Sequence, residues 1–192
     1  MIVIPFRAGG KSRLPEEIRV GTALAMLGDV CAVAVAVGPA TVVTADAAAV
    51  TLGGSLGARC VADPGGGQGV AVRTALAETV GPCVVLNADL PTVTTSDVEA
   101  LVDVASSGAF GLVAARDGTT NALALPTPDV FAPLYGAGSA ERFRRHAFAF
   151  GLEVVDLELP NLVADVDTLA DLDRLADRAG PRTSALLVGT RQ

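Results

Sequence analysis

The chain has 192 residues, 51% of them hydrophobic and 18% charged. That suffices for one α/β domain with a full core, is too little for two, and excludes general disorder. A formal net charge of -7 repels nucleic acid and anionic membrane in bulk, and 4% aromatic residues without Trp leave no stacking platform for single strands.

Ile2 to Pro5 reads as a short buried strand, followed by a Gly-Gly-basic loop from Arg7 to Leu14. Glu16 to about Val35 is predicted as one long helix, with Leu24, Leu27 and Cys31 on one face. Ala40 to Thr44 is a second strand, and Asp46 is placed to cap the helix after it. Arg59 to Ala62 is a third strand, which ends in Asp63-Pro64-Gly65-Gly66-Gly67-Gln68-Gly69 before a helix through Leu76. Pro82 to Leu86 is continuously apolar, the mark of a strand covered on both faces, and it ends at Asn87-Ala88-Asp89-Leu90-Pro91-Thr92. Thr95 or Ser96 is expected to cap the next helix, which carries Val98, Leu101 and Val102. Phe110 to Ala115 and Asn121 to Leu125 read as strands around the turn Arg116-Asp117-Gly118-Thr119-Thr120. Ser139 opens a basic helix with Arg142, Arg144 and Arg145, Leu152 to Leu157 is another strand, and Asp165-Val166-Asp167-Thr168 leads into a last helix through Leu175. From Gly180 onward a loosely held tail is expected.

Strands alternating with helices in the first half imply right-handed crossovers and a parallel sheet, and the second half looks mixed. No repeat or linker interrupts the chain, and no stretch reads as long enough to span a membrane. Met1 to Pro5 has neither the charged region nor the cleavage site of a signal peptide. Cys31, Cys60 and Cys83 form no Cys-x-x-Cys pair and read as small buried thiols of a reducing compartment, so a cytoplasmic location is expected. The single histidine, His146, removes any metal site that needs two His ligands and reads as a helix-surface residue rather than a base.

In such sheets ligands bind beyond the carboxyl ends of the strands, and the polar, Gly-rich segments of this chain follow strands one, three and four. Gly9 and Gly10 let backbone amides approach an anion, with Lys11 and Arg13 supplying charge. Lys11 is the only lysine in the chain. Gly10-Lys11-Ser12 matches the end of a Walker A loop, but Pro5 stands where that motif requires its first Gly. Asp89 ends the most buried strand, where a carboxylate meets a Mg2+ that bridges phosphates, unless it only caps a turn. Asp165 and Asp167 lie two apart and share a face if extended, so both could aim at one ion, unless Asp167 is the cap of the last helix. Gly67 and Gln68 put bare backbone and an amide beside a strand end, which suits the edge of a nucleobase or is simply a flexible loop. Gly118-Thr119-Thr120-Asn121 and Gly136-Ala137-Gly138-Ser139 are two further hydroxyl-and-glycine clusters, with Ser139 at a helix start.

In order and spacing these segments resemble the guanylyltransferases of coenzyme F420 biosynthesis, which act on 2-phospho-L-lactate or phosphoenolpyruvate, from Ile4 to about Leu175. The carriers are Pro5-Phe6-Arg7, Lys11-Ser12-Arg13-Leu14, Asn87-Ala88-Asp89-Leu90-Pro91, Gly118-Thr119-Thr120-Asn121, Gly136-Ala137-Gly138-Ser139 with Arg142 and His146, and Asp165-Val166-Asp167-Thr168. The resemblance implies a nucleotidyltransferase domain over residues 1–180, with a tail over 181–192. It implies a nucleotide-diphospho-sugar-transferase-like, Rossmann-like three-layer α/β fold with a mixed, mainly parallel sheet of a seven-stranded type. GTP is the implied donor and Mg2+ the cofactor.

The implied roles are catalytic for Lys11 and Arg13, and nucleotide-binding for Arg7, Gly9, Gly10, Gly67 and Gln68. Thr119, Thr120, Gly136 and Ser139 take the phospho-acid, and Asp89, Asp165 and Asp167 the metal. The lean Ala8-Gly9-Gly10 stretch departs from the longer basic loop of the family. Phosphoenolpyruvate, 2-phospho-L-lactate and 3-phosphoglycerate are all used by such proteins. The Ala/Val-rich strands and apolar tail would support a homodimer, although nothing specifies one, and the product is of a kind handed to a next enzyme. A molybdopterin or sugar-phosphate acceptor, and a non-catalytic nucleotide-binding domain, are the rival readings.

Overall fold

Strand β1 (Ile2–Pro5) is apolar throughout because it is buried on both faces, parallel to β2 (Ala40–Thr44) on one side and to β4 (Cys83–Leu86) on the other. The computed structural model describes residues 1–8 and 14–190. With β3 (Arg59–Ala62), β5 (Phe110–Ala114), β6 (Thr120–Leu125) and β7 (Val154–Asp156), these strands make a seven-stranded sheet in the order β3-β2-β1-β4-β6-β5-β7. Only β6 runs against its neighbours, pairing antiparallel to both β4 and β5. The sheet is therefore mixed and mainly parallel.

Successive strand residues face opposite layers. Ile2, Ile4, Val42, Val84 and Leu86 pack under α1 (Glu16–Val37), α2 (Ala47–Ser55) and α4 (Thr95–Ser106). Val3, Val43, Cys83 and Val85 pack under α3 (Gln68–Leu76) and α5 (Ser139–Ala149). This is the three-layer α/β arrangement. A third, smaller cluster joins Met26 of α1 to Val166, to Leu172 and Leu175 of α7 (Leu169–Leu175), and to Leu187. The short α6 (Pro160–Val163) precedes α7.

Three expectations are corrected. First, α1 is long and apolar enough to cross a bilayer, yet half of that span is buried within the protein, against the sheet, α2, α4 and the last helix. Its hydrophobicity serves packing on several sides. Second, Thr94, not Thr95 or Ser96, caps α4: it forms a capping box in which Thr94 and Asp97 each accept a backbone N–H of the other. Third, the stretch after Gly180 is not a loose tail but helix α8 (Pro181–Thr190), docked on α1.

The device behind that docking is Asp29, 3% exposed in mid-α1, whose carboxylate accepts the backbone N–H of Arg182 at 3.0 Å and of Thr183 at 2.9 Å. Helix α8 is thus capped from another helix, its positive end against a carboxylate. Gly180 is needed at the approach because a Cβ there would collide with the Asp29 side chain. Asp29→Ala is expected to destabilise the protein by about 2–4 kcal/mol, since two N–H groups lose a charged acceptor in a buried setting. A lowered urea midpoint for that variant checks this, and an unchanged midpoint would refute the capping role.

Candidate active site

The sheet directions bring the polar segments after β3 and β4 and between β5 and β6 to one edge. The parallel strands β1 to β4 deliver their carboxyl ends there, antiparallel β6 delivers its amino end, and β5 and β7 deliver their carboxyl ends. At that edge lies a cleft of about 250 Å³ lined by Phe6, Arg7, Asp63, Gln68, Asn87 and Asp89, among others.

One wall is the loop after β3. The Asp63 side chain is 3% exposed and accepts Arg7 Nε at 2.8 Å through one oxygen and the Gly65 backbone N–H at 2.8 Å through the other. The Arg7 hydrogen bond holds the Asp63 carboxyl below its ordinary range, against the opposing effect of burial. Gly65, Gly66 and Gly67 all have positive φ, near 87°, 86° and 101°, so side chains would strain this turn. Gly67 occupies the cap position of α3 and offers no side-chain acceptor to its first turn. Gln68, the first residue of α3, donates Nε2–H to Asn87 Oδ1 at 2.7 Å. Asn87 Nδ2 in turn donates to the Thr120 carbonyl at 3.1 Å and toward Asn121 Oδ1 at 3.4 Å. Asn121 Nδ2 donates to the Leu162 carbonyl at 2.8 Å. A chain of amides therefore ties the β3–α3 loop, the end of β4, the start of β6 and α6 together.

The second feature is acidic. Asp89, Asp165 and Asp167 each offer a carboxylate oxygen within 4.8 Å of the others, and all three are half-buried. Asp165 and Asp167 flank Val166, which is fully buried and donates its N–H to the Asp89 carbonyl at 3.3 Å. One apolar residue pinned inward turns its two neighbours to one face. The cap of α7 is Thr168, in a capping box with Asp171, so the helix does not call on the Asp167 carboxylate.

The third feature is the hydroxyl cluster. Thr120 and Ser139, 2% and 0% exposed, share a hydrogen bond of 2.9 Å between their hydroxyls. Ser139 donates its N–H to the Gly136 carbonyl at 3.0 Å, and Ala140 N–H binds the Gly118 carbonyl at 3.2 Å, which fastens α5 to the β5–β6 turn. Thr119 lies beside them but is committed to Asp117, whose Oδ1 accepts its N–H at 2.9 Å and its hydroxyl at 2.7 Å. Arg142 is not aimed at an anion: its guanidinium holds the carbonyls of Leu134 and Tyr135. His146 Nε2 sits 3.0 Å from the Val130 carbonyl.

Of the site residues named from sequence, Arg7, Gln68 and Asp89 meet in the cleft, with Gly67 adjoining Gln68. Asp165 and Asp167 join Asp89, and Thr120, Gly136 and Ser139 gather at the start of α5. Gly9, Gly10, Lys11 and Arg13 lie outside the described residues. Sequence reasoning gave no role to Asp63, Asn87 or Asn121. An acidic residue opening a Gly run, and an Asn at the end of a buried strand, were the signals available.

The model of a family described as guanylyl transferase, CofC like, matches residues 1–178. Phosphoenolpyruvate guanylyltransferase of Streptomyces coelicolor is 38% identical over 206 residues, covering 96% of this chain and 94% of its own. Phosphoenolpyruvate guanylyltransferase of Sphaerobacter thermophilus is 38% identical over 101 residues, 52% of this chain and 49% of its own. The 3-phospho-D-glycerate guanylyltransferase of Phenylobacterium zucineum is 35% identical over 99 residues, 50% and 45% of the two chains. Among solved structures, a nucleotidyl transferase from Methanothermobacter superposes with a TM-score of 0.70 at 17% identity, covering 92% of this chain and 95% of that one. Rv0371c of Mycobacterium tuberculosis in complex with manganese superposes with a TM-score of 0.61 at 22% identity, covering 91% and 95%.

Proposed function

The chain belongs to the CofC-like guanylyl transferases, a family of nucleotidyltransferase enzymes, and from that premise we propose that it moves GMP from GTP onto the phosphate of a small phospho-acid. The acceptor class is phosphoenolpyruvate, 2-phospho-L-lactate or 3-phosphoglycerate, the product serves coenzyme F420 assembly, and the setting is cytoplasmic. The observation that carries this reading is the convergence of Asp89, Asp165 and Asp167 at the edge where Gln68 and Asn87 line a cleft.

The donor set suits a hard divalent cation: three carboxylates and no thiolate or imidazole favour Mg2+ or Mn2+. Asp89, Asp165 and Asp167 would hold it. Such an ion, once bound, neutralises phosphate charge and makes the α-phosphorus more electrophilic. The acceptor phosphate is already ionised at neutral pH, so its oxygen attacks the α-phosphorus without losing a proton. A new P–O bond forms, the bond to the β-phosphate oxygen breaks, and pyrophosphate leaves. No general base is needed, in keeping with His146 lying against Val130.

The obstacle is repulsion between two polyanions, several kcal/mol at contact with an effective dielectric of ~20. Lys11 and Arg13 are proposed to offset it from the loop after β1, together with Gly9 and Gly10. Gly67 and Gln68 are proposed to meet the base, with Gln68 oriented by its bond to Asn87. Arg7, bound to Asp63, fixes the wall of the nucleotide cleft.

Thr120, Gly136 and Ser139 are proposed to take the acceptor, with Thr119 beside them. Two hydroxyls that share one hydrogen bond keep one O–H to donate, so a modest opening of the Thr120–Ser139 pair presents it to an anion. Thr120→Val keeps the shape and removes that donor. It is expected to raise the acceptor KM about tenfold with the GTP KM unchanged, and steady-state kinetics in each substrate check it.

Pyrophosphate release from GTP with Mg2+ and each of the three phospho-acids tests the function. Release with at least one of them is expected. Release only with another nucleotide, or only with a sugar phosphate, would overturn the reading.

A further inference from the structure

The acidic group is assembled from two stretches far apart in sequence, Asp89 after β4 and Asp165-Val166-Asp167 before α7. A cation needs its ligands at fixed separations, so whatever holds the two stretches together sets how well an ion is bound. The direct tie between them is the Val166 N–H to the Asp89 carbonyl at 3.3 Å, long for such a bond.

Helix α8 grips both stretches. Gly180, at its entrance, donates its N–H to the Pro91 carbonyl at 2.7 Å, two residues beyond Asp89. Further along, Leu187 is buried in the cluster that seats Val166, together with Met26, Ala164, Leu172 and Leu175. Leu187 therefore backs the residue that turns Asp165 and Asp167 to one face.

Helix α8 is in turn fixed to α1. Asp29 caps its first turn through the Arg182 and Thr183 N–H groups. Gly28 of α1 lies against the Arg182 side chain, where a Cβ would collide, and a Cβ on Gly21 would stand 3.3 Å from Leu186 Cδ1. Two glycines seven residues apart fall on one face, two turns apart, so α8 runs antiparallel along a shallow groove in α1. Met26 of α1 belongs to the Leu187 cluster and also lines the cleft. The family match ends at residue 178, so α8 lies beyond it.

We propose that α8 positions the metal centre: Gly180 through Pro91, and Leu187 through Val166, set the distance between Asp89 and the Asp165–Asp167 pair. This rests on the reading of those three carboxylates as a divalent-cation site. Leu187 is then a positioning residue, remote from the ion yet a determinant of its affinity. Linkage makes the effect reciprocal: bound metal strengthens the docking of α8 by the factor through which docked α8 strengthens metal binding.

The test measures Mn2+ binding to the intact chain, without nucleotide or acceptor, by loss of the free-ion paramagnetic resonance signal. It compares the unaltered protein with Leu187→Ala, Leu187→Met and Leu125→Ala. Leu125 is fully buried in the opposite layer, at the end of β6 away from Thr120, and controls for a general loosening of the core. Leu187→Ala is expected to raise the Mn2+ Kd about tenfold. Leu187→Met, which conserves volume, should bring it back to within about twofold. Leu125→Ala should leave it within about twofold while lowering the melting temperature at least as much. In the unaltered protein, saturating Mn2+ should slow hydrogen exchange at the Arg182 and Thr183 amides about fivefold or more. That measurement needs no variant and decides the matter should Leu187→Ala fail to fold. A Kd unmoved by Leu187→Ala, an equal rise in Leu125→Ala, or exchange at Arg182 and Thr183 indifferent to Mn2+ would overturn the inference while leaving the three carboxylates as ligands. No Mn2+ binding by the unaltered protein would instead overturn the metal reading, and this inference with it.

Discussion

Asp89→Asn is expected to cut guanylyl transfer by about a thousandfold, corresponding to ~4 kcal/mol of lost transition-state stabilisation. The substitution preserves shape and removes one negative charge. Asp89 follows β4, a strand buried at every position, and precedes Leu90, which is fully buried, so the backbone that presents the carboxylate is held on both sides. The core residues on either side, Leu86 and Leu90, are apolar and fully buried. The partners come from far along the chain: Asp165 and Asp167 are held in place by Val166, whose N–H reaches back to the Asp89 carbonyl. Loss of one carboxylate from three should weaken the divalent ion as well as slow the step. The measurement is initial rate against Mg2+ concentration, with thermal melting as the control for folding. A variant that keeps both the rate and its metal dependence would place the metal elsewhere.

The fold was largely legible because its two central strands, buried on both faces, are apolar throughout, Cys83–Leu86 and Ile2–Pro5, whereas β2 and β6 are buried at every position yet carry Thr and Asn. The antiparallel course of β6 was only suspected, since periodicity does not encode direction. Caps were legible where the side chain decides alone, as Asp46 does by accepting Ala49 N–H at 2.9 Å. They were misplaced where several Ser and Thr residues stand in a row, because Thr94 wins over Thr95 and Ser96 through a box with Asp97. The docking of α8 was not legible, since its cap comes from Asp29 in another helix. The acidic residues could be named from their strand-end positions, whereas their approach to within 4.8 Å depends on tertiary packing. Asp63 hid behind the glycines it organises: its two hydrogen bonds join Arg7 to Gly65, a connection that no spacing announces.

Asn87→Leu is expected to lower kcat/KM by about a hundredfold, with the KM for both substrates raised. Asn87 hydrogen-bonds to both sides of the site. Its oxygen accepts from Gln68 on the side proposed for the base, and its amide donates to the Thr120 carbonyl on the side proposed for the acceptor. Leucine fills a similar volume and leaves the Gln68 amide and the Thr120 carbonyl without that partner, at about 1–3 kcal/mol for each if they stay buried. Gln68 is then free to turn, and β6 loses a tie that sets Thr120 against Ser139. Small errors of position are costly here, since a displacement of about 1 Å can lower a rate by about a hundredfold. A purely structural role for Asn87 predicts something different: a lowered melting temperature with both KM values unchanged in the folded fraction. The decisive comparison is therefore GTP affinity by calorimetry alongside acceptor KM. A rise in only one of them would cut the amide chain at Asn87 and assign the residue to that side alone.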